Sequence, residues 1–287
     1  MHLKSTALFS ALLLTVAGCS HERETDYAHL KSLQDYRVPL DSQPFAAGVP
    51  KRAMFIFPHA DDEVAHAGTI AYLKSLGAEV KLYTLTQDND PAKKPVRAAE
   101  LRCAVKALSI DAFKQGDFYN NSWDDVLKDS VSFWPDHLPA IEAAISREID
   151  SFRPSSIYLY DTLIGGYGHP EHLLTSKATF RALRKLPAPA AGGVRRVYMS
   201  TLPERLDTTL LGELPTYWMY RDKNHGQGKP APTLAYDITR FWPAKAAAAR
   251  CHASQEHVMR KFYLKPEGND SLHFHTFDRE YYVVTNR

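Results

Sequence analysis

Two separated clusters of histidine and carboxylate residues could act together in one chemical site. The first, His59–Glu63, reads His-Ala-Asp-Asp-Glu and directly follows the apolar run 54–57. The second, Gly168–His172, reads Gly-His-Pro-Glu-His and follows the apolar run 156–160 and a glycine-containing turn. Both apolar runs are typical of buried strands in a parallel sheet. Because ligands in open α/β sheets bind beyond the carboxyl ends of the strands, we predict that both clusters lie on strand-to-helix connections.

These residue types suit a hydrolytic metal centre. The first cluster offers an imidazole nitrogen, a hard carboxylate ligand and a further carboxylate that can serve as a base. The two histidines of the second cluster are three residues apart, so they can face one side of a helix start. A zinc ion with three protein ligands keeps a position open for water and lowers the pKa of that water to roughly 7. Either cluster alone also fits a plain helix N-terminus, but the pair favours the metal centre.

At these residues the chain resembles the LmbE/PIG-L-like N-acetylglucosaminyl deacetylases, a zinc-dependent family. The family signatures are His-Pro-Asp-Asp-Glu after the first strand and His-Pro-Asp-His after a later strand. Here Ala60 replaces the proline of the first signature, and Glu171 replaces the aspartate of the second. The resemblance runs from about Arg52 to the C-terminus, and neither replacement removes a residue that the family uses as ligand or catalyst.

The resemblance implies a role for each residue of the two clusters. His59, Asp62 and His172 would bind the metal. Asp61 would be the general base that takes a proton from the attacking water. His169 would assist at the tetrahedral intermediate and protonate the leaving amine, which is a poor leaving group unless protonated. The expected metal is Zn²⁺, although a set of two histidines and one aspartate also suits iron or cobalt.

Two further residues resemble substrate-binding positions of the family. Arg97 lies in a predicted helix, 96–108, with the family's Arg-x-x-Glu spacing, and would contact the polar end of the substrate. The alternative is a surface arginine on an amphipathic helix. Asp117 would match a family aspartate that binds sugar hydroxyls.

His273 and His275 offer a competing metal site. A spacing of two places both side chains on one face of a strand, where Cys251, His252 or His257 could complete a second centre. No partner at a fixed spacing supports this centre, so scattered surface histidines are the favoured interpretation.

The N-terminus has the pattern of an export signal. Residues 1–18 contain a basic residue, a short apolar core and small residues directly before Cys19. This segment is too short to span a membrane. The small-residue pair before cysteine resembles a bacterial lipobox, which implies that Cys19 is lipidated. Ser20 after it favours the outer membrane, facing the periplasm. An ordinary signal peptide or a simple anchor is the alternative.

Composition and periodicity predict one α/β catalytic domain over residues 52–287, joined to the membrane by a polar tether within residues 19–51. The chain is 44% hydrophobic and 24% charged, which is ordinary for a globular protein. Alternating strands and helices predict a Rossmann-like, mainly parallel sheet flanked by helices. Two aromatic-rich insertions, 118–139 and 202–232, either shape a substrate pocket or pack locally under long loops. A formal charge of +2 without a basic cluster gives no case for nucleic acid.

The resulting prediction is a lipid-anchored, metal-dependent hydrolase that removes the N-acetyl group from an N-acetylglucosamine-type sugar in an envelope glycan or glycolipid. The alternatives are an amidase acting on a non-sugar amide and a glycan-binding lipoprotein without catalysis. Cys103 and Cys251 could form a disulfide in an oxidising compartment, but their spacing does not decide this. No oligomeric state follows from the sequence.

Overall fold

The computed structural model describes residues 26–130, 133–186, 193–263 and 270–287. Within these ranges the strands are β1 Arg52–Phe57, β2 Glu79–Thr86, β3 Ala112–Phe118, β4 Ser156–Tyr160, β5 Arg196–Thr201, β6 Leu234–Asp237 and β7 Arg279–Asn286. The α-helices are α1 Tyr27–Ser32, α2 Ala67–Ser75, α3 Lys94–Ala107, α4 Trp123–Leu127, α5 Phe133–Phe152, α6 Pro170–Lys185, α7 Glu204–Leu211, α8 Pro215–Lys223, α9 Trp242–Cys251, α10 Glu256–Phe262 and α11 Asp270–Thr276. Two short 3₁₀ helices cover Asp62–His66 and Ala253–Gln255.

The strands form a seven-stranded sheet in the order β3-β2-β1-β4-β5-β7-β6. Strands β1 to β5 pair in parallel, whereas β7 is antiparallel to both β5 and β6. Alternate residues of β1 enter two cores: Phe55 packs with α2, α3 and α9, while Met54 and Ile56 pack with α5 and α6. Burial on both faces explains why β1 is apolar without alternation. The predicted α/β class with a mainly parallel sheet is confirmed.

The strand order places the two motif loops side by side. Strands β2 and β3 are added on one side of β1, and β5 is added on the far side of β4, so the two halves of the sheet extend in opposite directions. Strands β1 and β4 are hydrogen-bonded neighbours, so the sheet reverses its order between them. The crevice outside the carboxyl ends of the strands at such a reversal is the usual ligand site of open α/β sheets.

Two strands lie in segments where we predicted none. Strand β3 is the polar sequence Ala-Phe-Lys-Gln-Gly-Asp-Phe at the sheet edge, with most of its residues exposed or half-buried. Strand β6 is only four residues long. An exposed edge strand and a very short strand both lack the apolar run that identifies a buried strand.

Residues 26–51 pack on the domain instead of forming the predicted tether. Leu30 and Leu33 are buried against Leu206. The Asp41 carboxylate accepts hydrogen bonds from the hydroxyls of two buried tyrosines, Tyr198 and Tyr236, at 2.9 and 3.2 Å. This segment therefore belongs to the folded body, because its few apolar residues are spaced to enter the core.

The predicted export signal, residues 1–18, and Cys19 lie outside the described residues. Among the helices that the structure describes, none is long and apolar enough to cross a membrane.

A disulfide joins Cys103 on α3 to Cys251 at the end of α9, with the two Cα atoms 5.5 Å apart. The two cysteines are separated by 148 positions in sequence. The bond therefore fixes two helices that cover the same face of the sheet.

We expect replacement of both cysteines, Cys103→Ser with Cys251→Ser, to lower the free energy of unfolding by about 2–4 kcal/mol. The physical reason is that the cross-link restricts the unfolded chain over a long loop. Denaturant unfolding measures the difference. As a control, reductant should shift the unfolding midpoint of the wild type and leave that of the double variant unchanged. Equal midpoints for wild type and double variant under oxidising conditions would contradict the expectation.

Candidate active site

The structure brings His59, Asp62 and His172 together at the carboxyl ends of β1 and β4. Asp62 Oδ2 lies 3.3 Å from His59 Nδ1, and Asp62 Oδ1 lies 3.1 Å from His172 Nε2. One ligand atom from each residue lies within 4.8 Å of the other two. Burial raises the pKa of Asp62, but the charges of His172 and His59 outweigh this and hold it well below the ordinary value. An anionic oxygen therefore sits between two imidazoles.

The hydrogen bonds of His172 leave one ring nitrogen available to a metal. Its Nδ1 donates to the Gly165 carbonyl at 3.0 Å, and its ring stacks on Tyr160 at 4.0 Å. The other nitrogen, Nε2, is buried without a hydrogen-bond partner although Asp62 is 3.1 Å away. With a cation bound in place of the Nε2 proton, His172 would donate from Nδ1 and turn the lone pair of Nε2 towards the same point as the Asp62 carboxylate. That arrangement fits a shared cation.

Glu171 fixes His59 in a corresponding way. The carboxylate is fully buried, and its Oε2 lies 2.6 Å from His59 Nε2. Its Oε1 accepts hydrogen bonds from the backbone N–H and the side-chain amide of Asn121 at 2.8 and 2.5 Å. Since a carboxylate accepts, Nε2 carries the proton and Nδ1 faces Asp62. A carboxylate behind a ligand histidine is the usual support of a metal site.

Sequence reasoning missed this function of Glu171 and treated it only as a replacement for aspartate. His59, His169 and Glu171 form a second grouping with metal-ligand spacing, but the short contact between Glu171 and His59 already uses the carboxylate. The donor set of His59, Asp62 and His172 fits one divalent ion.

Asp61 is held in a strained backbone conformation beside this set. Its φ is 112°, a region that costs a non-glycine residue about 1–3 kcal/mol. Its N–H donates to Glu63 Oε2 at 2.9 Å, and its carboxylate accepts from Arg97 Nη2 at 3.0 Å. Burial raises the pKa of Asp61, the Arg97 charge opposes that rise, and the Asp62 charge adds to it. A carboxylate with a raised pKa is suited to general-base chemistry.

Arg97 is not a surface arginine. Its side chain is 12% exposed and lies between Asp61 and Glu100, and it also donates to the Ala60 carbonyl. The guanidinium therefore supports the turn that carries Asp61. Its predicted contact with the substrate stays a prediction.

His169 caps the N-terminus of α6 and lies beside His59, with 4.7 Å between the two ring centroids. Its Nδ1 accepts the backbone N–H of Glu171 at 3.2 Å, so its proton is on Nε2. Burial, together with the charges of His59 and His172, holds the pKa of His169 well below the ordinary value. Gly168 has a φ of +89°, and a Cβ there would lie 2.4 Å from the Thr216 carbonyl oxygen. The close turn before His169 therefore requires glycine.

The two aromatic insertions have different roles. Trp123, at the start of α4, is 43% exposed and its ring lies 6.1 Å from those of His169 and Tyr167. The first insertion thus places one aromatic ring at the rim of the site. In the second insertion, Tyr217 and Tyr220 are buried in a cluster with Ile164 and pack under the loop that follows β4, whereas Trp218 is exposed.

Among the described residues, neither Asp117 nor the pair His273 and His275 belongs to a grouping with metal-ligand spacing. Asp117 is exposed on β3, and its predicted contact with sugar hydroxyls stays a prediction. His273 and His275 are on helix α11, where residues two apart do not share a face, so the strand spacing of the disfavoured metal site does not occur. The favoured interpretation as surface histidines is wrong for His273, which is buried. Among the described residues, the groupings with metal-ligand spacing occur only around His59.

Sequence reasoning also missed Glu63 and His252 as part of this site. Both side chains are fully buried, and His252 Nε2 lies 2.5 Å from Glu63 Oε1. The only sequence signal was the acidic residue that completes the first motif.

Comparisons with known proteins agree with this geometry. The sequence profile of the PIG-L family, GlcNAc-PI de-N-acetylase, matches residues 54–183. The 1D-myo-inositol 2-acetamido-2-deoxy-alpha-D-glucopyranoside deacetylase of Kineococcus radiotolerans is 31% identical over 285 residues, which cover 81% of this chain and 73% of that protein.

Two solved structures share the fold at 18% identity. The A40926 pseudoaglycone deacetylase matches with a TM-score of 0.55, over 82% of this chain and 98% of its own. The 4-carboxy-2-hydroxymuconate hydratase of Pseudomonas putida KT2440 matches with a TM-score of 0.52, over 83% and 97%. Because one is a deacetylase and the other a hydratase, the fold alone does not decide the reaction. The profile match, the 31% identity over most of both chains and the two motifs in family order show that the chain belongs to the PIG-L/LmbE family of GlcNAc-PI de-N-acetylases.

Proposed function

We propose that this protein is a metal-dependent deacetylase that hydrolyses the acetamide of an N-acetylglucosamine-type sugar. The observation that carries the proposal is the buried set of His59, Asp62 and His172 with the strained Asp61 beside it. The related deacetylase of Kineococcus radiotolerans is named for an acetamido sugar linked to inositol, which supports the substrate class.

His59, Asp62 and His172 would hold the ion. When bound, a divalent ion such as Zn²⁺ polarises an amide carbonyl and lowers the pKa of water. Asp61 accepts a proton from the water whose oxygen adds to the acetamide carbon. His169 donates a hydrogen bond from Nε2 to the tetrahedral intermediate. The proton that Asp61 took from the water then passes to the nitrogen, with His169 as the predicted donor, and the carbon–nitrogen bond breaks to give acetate and a free amine.

The direct test is acetate release from a panel of acetamido substrates by zinc-loaded protein. The panel should contain N-acetylglucosamine, its inositol conjugate, chitin oligosaccharides and simple N-acetyl amines without a sugar. We expect turnover of sugars, at rates well above those of the simple amines. Equal or faster turnover of the amines would indicate an amidase, and binding of sugars without acetate release would indicate a non-catalytic glycan-binding protein.

Trp123 is expected to form one wall of the sugar site. Its exposed ring lies next to His169, which faces the amide in the proposed mechanism, and an apolar sugar face can pack on an aromatic ring. Loop contacts hold the residues before it in place: Asn120 N donates to Asn89 at 3.2 Å, and the Asn121 amide donates to Glu171.

We therefore expect Trp123→Ala to reduce kcat/KM for sugar substrates about 5–30-fold, the effect of losing roughly 1–2 kcal/mol of contact. The loss should appear mainly in KM, since the ring does not touch the reacting atoms. Steady-state kinetics measures the change. Trp218→Ala is a matched control, because Trp218 is equally exposed on α8 and packs on Arg221. A kcat/KM for Trp123→Ala within twofold of the wild type would contradict the role.

We also propose that the protein is lipid-anchored at Cys19 in the bacterial envelope, on the periplasmic side of the outer membrane, where it meets envelope glycans or glycolipids. The support is the small-residue pair before Cys19 and the short apolar core within residues 1–18. Labelling with radioactive palmitate tests the anchor. Incorporation of palmitate into the wild type but not into Cys19→Ser supports the anchor. Release of the wild type and Cys19→Ser from membranes to the same extent argues against it.

A further inference from the structure

We infer that His252 and Glu63 are positioning residues for Asp61, and that a closed ring of contacts holds the turn that carries this base. The ring, here called the Asp61 clamp, consists of Glu63, Arg97, Glu100, His252, Ser254 and the disulfide Cys103–Cys251. This inference rests on the proposed function of Asp61 as the general base.

The first arm of the clamp acts on the backbone of Asp61. Glu63 Oε2 accepts the Asp61 N–H at 2.9 Å while Asp61 is at φ 112°. The Glu63 carboxylate is fully buried, and its other oxygen lies 2.5 Å from His252 Nε2. Because a carboxylate only accepts, His252 Nε2 carries the proton that satisfies this oxygen. His252 thus holds Glu63, and Glu63 holds the backbone of the base.

The second arm acts on the side chain of Asp61. Arg97 on α3 donates to the Asp61 carboxylate at 3.0 Å and also to the Ala60 carbonyl. Glu100, one turn further along α3, lies 3.3 Å from Arg97 and directs the guanidinium. Backbone and carboxylate of Asp61 are therefore fixed from two different elements.

The two arms are joined to each other at the end of α9. Glu100 accepts hydrogen bonds from the N–H and the hydroxyl of Ser254, two residues after His252, at 2.6 and 2.8 Å. Cys251, the residue directly before His252, is bonded to Cys103 on α3. The segment 251–254 is thus tied to α3 at both of its ends, which sets the position of His252 relative to Arg97.

This arrangement explains why a strained residue can stay in place. A backbone conformation at positive φ persists only where the surroundings hold it, and such residues gather at active sites. Loss of a supporting contact should let the turn relax and move the carboxylate. A displacement of about 1 Å at a reacting group can cost 10²-fold in rate. None of the clamp side chains needs to touch the substrate for this effect.

The test compares His252→Ala, His252→Gln and His257→Ala in the full-length, zinc-loaded protein. We expect His252→Ala to lower kcat about 10–100-fold with unchanged zinc content. KM should stay within about twofold, because the fully buried His252 side chain supports Asp61 and does not bind the ground-state substrate. Gln carries an amide that can donate to Glu63, so His252→Gln should recover most of kcat. His257→Ala is the matched control, since His257 is exposed on α10, and its kinetics should match the wild type.

A second readout does not depend on turnover. Hydrogen exchange of peptides spanning residues 58–64 should be faster in His252→Ala and normal in His252→Gln. If the wild type releases no acetate, the proposed function fails, while the exchange experiment still decides whether the clamp holds the turn. Unchanged exchange and unchanged kcat in His252→Ala would overturn the inference. A loss of zinc together with kcat would also overturn it, because it would show support of the metal site rather than of Asp61.

Glu63→Asp covers the case in which His252→Ala does not fold. The shorter side chain keeps the charge but cannot reach both the Asp61 N–H and His252. We expect the same loss in kcat with KM and zinc content retained. Wild-type kcat in this folded variant would contradict the clamp.

Discussion

Asp61→Asn should lower kcat about 10²–10⁴-fold, the range that a positioned general base contributes. The amide is close in shape to the carboxylate and can still accept from Arg97, so the turn should stay in place. What it loses is the ability to take a proton from water. Zinc content, thermal stability and KM should therefore remain close to those of the wild type. Steady-state kinetics measures kcat and KM, metal analysis measures the zinc content, and thermal unfolding measures the stability.

The control for this substitution is Asp150→Asn, the same chemical change on an exposed residue of α5. It should leave kcat unchanged. If Asp61→Asn retained wild-type turnover with its zinc, another group would have to be the base. If it lost zinc together with turnover, Asp61 would belong to the metal ligands.

His172→Ala should abolish metal binding and lower kcat/KM more than about 100-fold. Mutation of a residue that only supports a metal ligand already lowers metal affinity or activity about 10–100-fold, and loss of a ligand should have a larger effect. Nε2 of His172 is a buried nitrogen without another partner, so no neighbouring group replaces it. Metal analysis after dialysis against zinc measures occupancy. A second measure is thermal unfolding, because a ligand present at 100 times its Kd stabilises the folded state by about 2.7 kcal/mol.

The wild type should therefore melt at a higher temperature when zinc is added, and His172→Ala should not respond. His257→Ala, an exposed histidine on α10, serves as the matched control and should keep the zinc response. Stoichiometric zinc in His172→Ala would refute the assignment of this residue as a ligand.

The order of these two effects separates the functions within the site. Asp61 and Asp62 are neighbours in sequence, yet only Asp62 lies between the two imidazoles, at 3.3 and 3.1 Å. Asp61 is turned by its positive φ towards Arg97. We therefore expect substitution of Asp61 to lower turnover without loss of metal, and substitution of His172 to abolish metal binding itself.

The sequence by itself determined where the reactive residues stand along the chain. The apolar runs 54–57 and 156–160 are local signals for buried parallel strands, and they predicted β1 to within two residues at its start and β4 with its observed bounds. The motif residues follow at fixed short distances, so their convergence was predictable from the general rule for open α/β sheets. The aromatic insertions were recognisable, but which of their rings would reach the site was not.

Only the tertiary structure decided which residues support the reactive ones. Glu171 contacts the His59 ring, 112 positions earlier in the sequence. His252 and Glu63 are 189 positions apart, and the disulfide partners Cys103 and Cys251 are 148 positions apart. Residues 26–51, which looked like a polar tether, were likewise placed by contacts with residues far along the chain. A local sequence pattern predicts helices and strands, because it reflects propensity and periodicity over a few turns. The long-range pairs depend instead on how the helices pack across the sheet. For that reason the motifs predicted the type of chemistry, whereas the contacts that hold Asp61 could not be predicted from the sequence.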